Sequence, residues 1–124
     1  MEGIAPIKVV RTHNAVAIAL SQNAASDIIE LNRYVSNGYF SLQYYVTGDG
    51  TVKFEYQLSN DGVNFVEPSS ASDIASSITK TSGPGSDGRD LVSFSPPPAA
   101  YMKIVATETG GANSVTVTLD LCMH

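Results

Sequence analysis

The clearest pattern in the chain is a strict alternation of apolar and polar residues between positions 40 and 58. Apolar residues take every second position on both sides of Gly48-Asp49-Gly50: they are Phe40, Leu42, Tyr44 and Val46, followed by Val52, Phe54, Tyr56 and Leu58. A period of two is typical of strands that bury one face and expose the other. The pattern predicts two strands, with Phe54 buried and Lys53 on the opposite face.

A third strand is predicted immediately after these two. Asn60-Asp61-Gly62 contains residues that tolerate a left-handed backbone, so residues 63–67 can fold back onto the second strand. The whole block from Tyr39 to Pro68 is therefore predicted to be a three-stranded antiparallel meander.

The C-terminal part predicts a second hairpin. Residues 100–107 and 114–121 are rich in Val, Ile and Thr and are separated by a loop rich in Gly and Asn.

A further strand is expected at 90–95, before Pro96-Pro97-Pro98. Three prolines cannot donate to a sheet ladder, so we expect a stiff connector there, with a polyproline ligand as the alternative.

The N-terminal third predicts strands at 7–12, 15–21 and 27–31, which brings the total to about eight or nine. Ser72 can cap one short helical turn. This number of strands favours an all-β, antiparallel, jelly-roll-like β-sandwich formed by a single domain over residues 1–124. Alternatively, residues 1–14 form an arm that crosses to a neighbouring copy.

Charge and hydropathy exclude several classes of partner. The chain has 124 residues, a formal net charge of -5 and only seven scattered basic residues. A nucleic-acid partner, which requires clustered Lys and Arg, is not expected. No apolar run approaches the roughly 18 to 20 residues of a membrane span, and no signal peptide is apparent. We therefore expect a soluble protein made in the cytoplasm.

Reactive side chains form no recognisable site in the sequence. The lone Cys122 has only His124 as a nearby basic residue, and a structural thiol is the favoured interpretation over a nucleophile. His13 is expected at the surface. Glu55 and Asp61 do not form a recognisable glycosidase pair. We predict no catalytic residue, no cofactor and no enzyme activity.

Five aspartates lie in or beside turns, where oxygen-rich loops can bind calcium: they are Asp49, Asp61, Asp73, Asp87 and Asp90. None of them belongs to a regular D-x-D-x-D stretch that would bring the carboxylates together. Aspartate in a glycine-containing turn is already explained by backbone geometry. No metal site is predicted.

The sequence blocks TGDGTVKFEY, SNDGVNFVEP, VSFSPPPAAYMKIVATETGG and SVTVTLDL, within residues 36–122, resemble small β-sandwich proteins of tailed phages and prophages. The resemblance implies a head-decoration, head-fibre or tail-associated virion component, made in the host bacterial cytoplasm. It carries over no catalytic residue. It also implies a homo-oligomer, with a trimer favoured, that contacts other virion proteins.

Tyr39 and Tyr45 are the predicted interaction surface, because both project from the face opposite the expected core. In an assembly protein, a neighbouring subunit would bury them. The alternative function is a lectin-like carbohydrate-binding module, in which these rings would form a platform for a surface glycan.

Overall fold

The computed structural model describes residues 7–34 and 37–124 and is almost entirely β. The elements of this part of the chain are β1 (Lys8–Ile18), β2 (Asn23–Ala25), β3 (Ile29–Glu30), α1 (Leu31–Tyr34), β4 (Phe40–Thr47), β5 (Val52–Ser59), β6 (Ala75–Ile78), β7 (Arg89–Phe94), β8 (Tyr101–Glu108) and β9 (Val115–Met123).

The strands form two antiparallel sheets that pack face to face. Sheet A has the order β1-β9-β4-β7. Sheet B has the order β2-β8-β5-β6, and β3 also pairs with β8. This arrangement confirms the predicted all-β antiparallel sandwich of about eight or nine strands: residues 7–34 and 37–124 contain nine strands and one short helix.

The core lies between the sheets and follows the predicted alternation. The largest fully buried side chains come from both inner faces: they include Leu42, Val46, Phe54, Met102, Ile104, Leu119 and Leu121. Phe54 has no exposed surface, and its ring centroid lies 5.4 Å from that of Tyr44 on the opposite sheet. The predicted facing of β4 and β5 is therefore confirmed.

The predicted partners of these strands were wrong. β4 pairs with β7 and β9 in sheet A, whereas β5 pairs with β6 and β8 in sheet B. β8 and β9 likewise lie in different sheets. Both expected hairpins are instead connections that cross from one sheet to the other. A period of two determines which face of a strand is buried, and it leaves the neighbouring strand undetermined.

The glycines of the β4–β5 connection serve close packing between loops. The amide of Gly50 donates to the carbonyl of Ser114 at 3.0 Å. A Cβ atom on Gly50 would lie 2.6 Å from the carbonyl oxygen of Asn113, so a side chain cannot be accommodated without displacing the backbone. The connection therefore packs against the β8–β9 loop at one end of the sandwich.

Glu108 links three of the loops that connect the two sheets at that end of the sandwich. Its side chain is only 1% exposed. The carboxylate accepts hydrogen bonds from four backbone amides, those of Ser21, Thr51, Gly110 and Gly111, at 2.7–3.0 Å. These bonds lower the pKa of Glu108 to about 2. A buried anion thus ties the β1–β2, β4–β5 and β8–β9 connections together.

Two predictions for residues 63–78 also fail. The expected third strand is reduced to a single bridge, in which Leu58 and Val66 exchange hydrogen bonds of 2.8 and 2.9 Å. The predicted helical turn at Ser72 is absent, and residues 75–78 form β6 beside β5. The short helix lies at Leu31–Tyr34 instead. Edge pairing with β5 therefore decides the conformation after Ser72.

The N-terminal residues form one strand, β1, where two had been predicted. Its pairing with β9 shifts register on both sides of His13, and Ala15 adopts a φ of 50° at this bulge. Within this segment, Lys8, Val9, Val10, Arg11 and His13 pair with β9 of the same chain. The alternative of an exchanged arm over 1–14 stays a prediction, and residues 1–6 lie outside the described part of the chain.

Candidate interaction surface

The outer face of sheet A is the surface that carries both predicted tyrosines. Side chains that alternate with the buried ones in its four strands point away from the core: they are Val9, Arg11, Thr116, Thr118, Asp120, Cys122, Ser41, Gln43, Tyr45, Thr47, Arg89, Leu91 and Ser93. Tyr39 extends this face, because its backbone exchanges two hydrogen bonds with His124 beyond the end of β9.

Apolar side chains are concentrated on this face. Nine large apolar residues of the described chain are exposed, and four of them belong to the outer face of sheet A: Val9 at 57%, Tyr39 at 67%, Tyr45 at 37% and Leu91 at 60%. Single exposed apolar residues are ordinary, but a group on one sheet face is typical of an interaction site.

The two tyrosines occupy opposite ends of β4. They are six residues apart in an extended strand, which corresponds to roughly 20 Å. The guanidinium of Arg89 lies 4.0 Å from the ring centroid of Tyr45 and covers one side of that ring. The ring of Tyr39 lies 6.1 Å from that of His124. Both tyrosines project outward as predicted, but they cannot contact the same sugar ring.

Arg11, Asp120 and Thr118 on this face are paired within the chain. Arg11 donates two hydrogen bonds of 2.9 and 3.0 Å to the carboxylate of Asp120. The hydroxyl of Thr118 accepts from the amide of Ala15 at 3.0 Å. A partner that covers this surface therefore leaves these groups paired, which keeps the cost of desolvation low.

Cys122 lies on the same face, half-buried between Val9 and Ser41. No hydrogen bond joins it to His124 among residues 7–34 and 37–124. The His124 ring instead contacts Asn37 at 3.3 Å. The alternative in which Cys122 and His124 act as a pair therefore has no hydrogen bond to support it in the described structure.

The prediction that His13 is a surface residue was wrong. His13 is 2% exposed and connects the two sheets. Its Nε2 lies 2.9 Å from the carbonyl of Ala24 in β2, and its Nδ1 lies 3.0 Å from the hydroxyl of Thr12. A carbonyl can only accept, so Nε2 is the donor. Burial lowers the pKa of His13, with the bond to Ala24 opposing that shift.

Three carboxylates converge at sheet B although their spacing in the sequence is irregular. Oxygen atoms of Glu55, Glu67 and Asp73 lie within 4.8 Å of one another. Partial burial, together with the neighbouring Glu67, raises the pKa of Glu55. The ammonium of Lys53, 3.2 Å from Glu55, compensates part of the charge.

This carboxylate cluster was missed because the Leu58–Val66 bridge, a tertiary contact, returns Glu67 to β5. Of the five turn aspartates considered above, only Asp73 belongs to it. Asp61 instead accepts bonds from the amides of Val63 and Asn64, which lower its pKa strongly. The absence of a metal site stays a prediction.

No protein-family model matches the chain, and no curated protein is similar to it in sequence. Solved structures share its fold. The VP2 subviral particle of infectious bursal disease virus matches with a TM-score of 0.56 and 9% identity, over 95% of this chain and 32% of the viral chain. This chain therefore spans about a third of the viral protein.

Two further structures give lower scores. The Gx strain of infectious bursal disease virus has a TM-score of 0.46 and 11% identity, over 95% of this chain and 32% of that chain. TmCBM61, solved in complex with beta-1,4-galactotriose, has a TM-score of 0.41 and 16% identity, over 93% of this chain and 80% of that chain. At 9% identity the likeness to the VP2 subviral particle establishes the fold alone: the chain is a jelly-roll-like β-sandwich.

Proposed function

We propose that this protein is a non-enzymatic structural component of a virus particle and that it assembles with copies of itself. The observation that carries the proposal is the outer face of sheet A, which exposes four large apolar side chains and on which Arg11, Asp120 and Thr118 are paired within the chain. A single domain would leave this surface in water, and subunit association would bury it.

The fold supports this proposal. The VP2 protein that shares it forms a subviral particle. The resemblance of residues 36–122 to β-sandwich proteins of tailed phages and prophages favours a decoration or tail-associated component of such a virion. The same resemblance favours a trimer, because the spikes and decorations of tailed-phage particles are commonly three-fold, and a trimer is one of the closed rings that identical subunits form. Virion localisation belongs to the same proposal.

A lectin-like module is the second candidate, and the exposure of Tyr39 favours it. This ring is 67% exposed, and sugars stack on exposed aromatic rings. Tyr45 is a weaker platform, because Arg89 already covers one side of its ring.

The helix in the described part of the chain is far too short to cross a membrane.

Light scattering coupled to size exclusion tests the proposal. We expect the full chain to have a mass several times 13.1 kDa at micromolar concentration. Tyr39→Asp and Tyr45→Asp should lower this mass, because each places a charge on the face that association would bury. Thr107→Asp, on the outer face of sheet B, is the control and should leave the mass unchanged.

A monomeric full-length chain would contradict the assembly function. If that monomer also bound an array of neutral oligosaccharides, and if Tyr39→Asp abolished the binding, the lectin-like function would replace it.

A further inference from the structure

Asn37 and Gly38 form an exposed step in the chain just before β4, beside the end of β9. The backbone amides of Asn37 and Tyr39 both donate to the carbonyl of His124, at 3.1 and 3.2 Å. The amide of His124 in turn donates to the carbonyl of Tyr39 at 2.9 Å. These bonds hold the backbone on both sides of Gly38 against the end of β9.

The groups that can react at this step have no hydrogen-bond partner. Among residues 7–34 and 37–124, the amide of Gly38 donates no hydrogen bond, and the side-chain carbonyl of Asn37 accepts none. Gly38 has a φ of 76°, and a Cβ atom placed on it would have no atom within 4 Å. A backbone nitrogen with open space around it therefore follows directly after an unpaired amide carbonyl.

His124 contacts the nitrogen that would leave in a reaction of this amide. Its Nε2 lies 3.3 Å from Nδ2 of Asn37. An amide NH₂ group only donates, so Nε2 accepts this bond in the neutral ring. When Nε2 is protonated, it stands where it can pass its proton to Nδ2. Histidine is the side chain that exchanges protons near neutral pH.

We propose that Asn37 and Gly38 form a self-modification site, at which Asn37 loses its side-chain nitrogen as ammonia with His124 as the proton donor. The backbone nitrogen of Gly38 gives its proton to solvent and bonds to Cγ of Asn37, which closes a succinimide ring. The Cγ–Nδ2 bond breaks with its electron pair on nitrogen, and Nδ2 takes the proton of His124 and leaves as ammonia. Water then opens the ring at either carbonyl and leaves aspartate or isoaspartate at position 37.

Proximity is the physical basis of this reaction. The attacking nitrogen and the amide carbon belong to neighbouring residues, so the attack is intramolecular, and groups held close together react far faster than separate molecules. A proton donor in contact with the leaving nitrogen adds general acid catalysis. No oxidant, reductant or further reactant besides water is required.

The sequence contains no second step of this kind. None of the other asparagines is followed by glycine. Asn113 is the most similar position, because it is exposed in a loop and is followed by the small residue Ser114. Its side chain makes no hydrogen bond to a histidine in the described part of the chain. Asn113 is therefore an internal control for the reactivity of Asn37.

Conversion of Asn37 would alter the outer face of sheet A. Both products place a carboxylate beside Tyr39, and isoaspartate also lengthens the main chain, because the backbone then passes through Cβ. Tyr39 belongs to the surface that self-association would bury, so conversion should weaken the assembly. This consequence rests on the proposed function, whereas the modification itself does not.

Peptide mass spectrometry tests the modification. The full-length chain is incubated at neutral pH and physiological temperature and then briefly digested with trypsin, with an unincubated sample as the reference. Residues 34–53 contain Asn37 as their only asparagine, and residues 104–124 contain Asn113. We expect the first peptide to appear lighter by one ammonia and then as aspartate and isoaspartate forms, while the second stays unchanged. An unmodified Asn37, or equal conversion of Asn113, would overturn the proposal.

His124→Phe tests the proton donor, because it keeps a ring beside Tyr39 but cannot supply a proton. Near pH 6 the variant should convert about tenfold more slowly than wild type, a smaller factor than in enzymes because the site is exposed. Near pH 9, where an imidazole carries no additional proton, the two rates should converge. Equal rates at both pH values, or a difference that does not change with pH, would overturn the role of His124. Circular dichroism verifies that the variant is folded.

Asn37→Asp tests the consequence for assembly. It should lower the mass measured by light scattering, whereas Asn113→Asp, the matched control, should leave the mass unchanged. An oligomer that tolerates Asn37→Asp would overturn only this consequence. A monomeric wild-type chain would overturn the proposed function and leave the modification of Asn37 standing.

Discussion

At the scale of single residues, the structure separates buried side chains that support the sandwich from neighbours that do not. Phe54 is completely buried between the sheets, whereas Lys53, one residue earlier, points outward towards Glu55. The two positions are neighbours in one strand and face opposite sides of the sheet. They therefore offer a direct test of the register.

Phe54→Ala should lower the free energy of unfolding by about 3–5 kcal/mol, because it removes a large core side chain and leaves a cavity. Lys53→Ala should cost far less, since its ion pair with Glu55 is near the surface. Urea unfolding of both variants measures the difference. Equal shifts of the two midpoints would contradict the observed facing of β5.

Glu108 predicts a dependence of stability on pH. Its pKa is about 2 in the folded protein, below the ordinary value of 4.5. Because the folded-state pKa is depressed, the stabilisation is complete above about pH 4.5 and is lost as the pH falls towards 2. Glu108→Gln should therefore lower the melting temperature at pH 7, and the difference from wild type should narrow near pH 2.

Thermal unfolding monitored by circular dichroism between pH 2 and 7 would test this. Glu30→Gln is the matched control, because Glu30 forms only an exposed pair with Arg33. A difference between Glu108→Gln and wild type that stays constant with pH would show that the Glu108 charge does not provide the stabilisation.

At the scale of elements, β1 is the strand whose role changed most between sequence and structure. Its N-terminal half provides regular pairing to β9, and His13 links it to β2 across the sandwich. The sequence pattern left open whether residues 1–14 are a strand or an arm. Because this segment pairs with β9, we expect its removal to destabilise the folded chain.

Deletion of residues 1–14 should lower the melting temperature by roughly 5 °C or more, because a loss of 1–2 kcal/mol already shifts it by several degrees. The deletion removes half of β1 and the His13 link. A chain that lacks only residues 1–6 keeps β1 and is the control. An unchanged melting temperature accompanied by loss of the oligomer would instead identify residues 1–14 as an exchanged arm.

At the scale of the whole molecule, function follows from surfaces that no single element creates. β1, β9, β4 and β7 are distant in the chain, yet their outward residues form one face with exposed apolar side chains. The proposed assembly depends on this face of the sandwich, and a measurement of mass in solution tests it.

The sequence by itself determined the fold class, the facing of the long strands and the outward positions of Tyr39 and Tyr45. These features depend on local periodicity, because burial of every second residue is the same whichever strand lies alongside. Tertiary structure alone decided that β4 and β5 belong to different sheets.

It also decided that His13 and Glu108 are buried and that Glu55, Glu67 and Asp73 converge. The physical reason is that pairing partners and buried polar contacts join residues far apart in the chain, and local pattern contains no information about which distant segments meet.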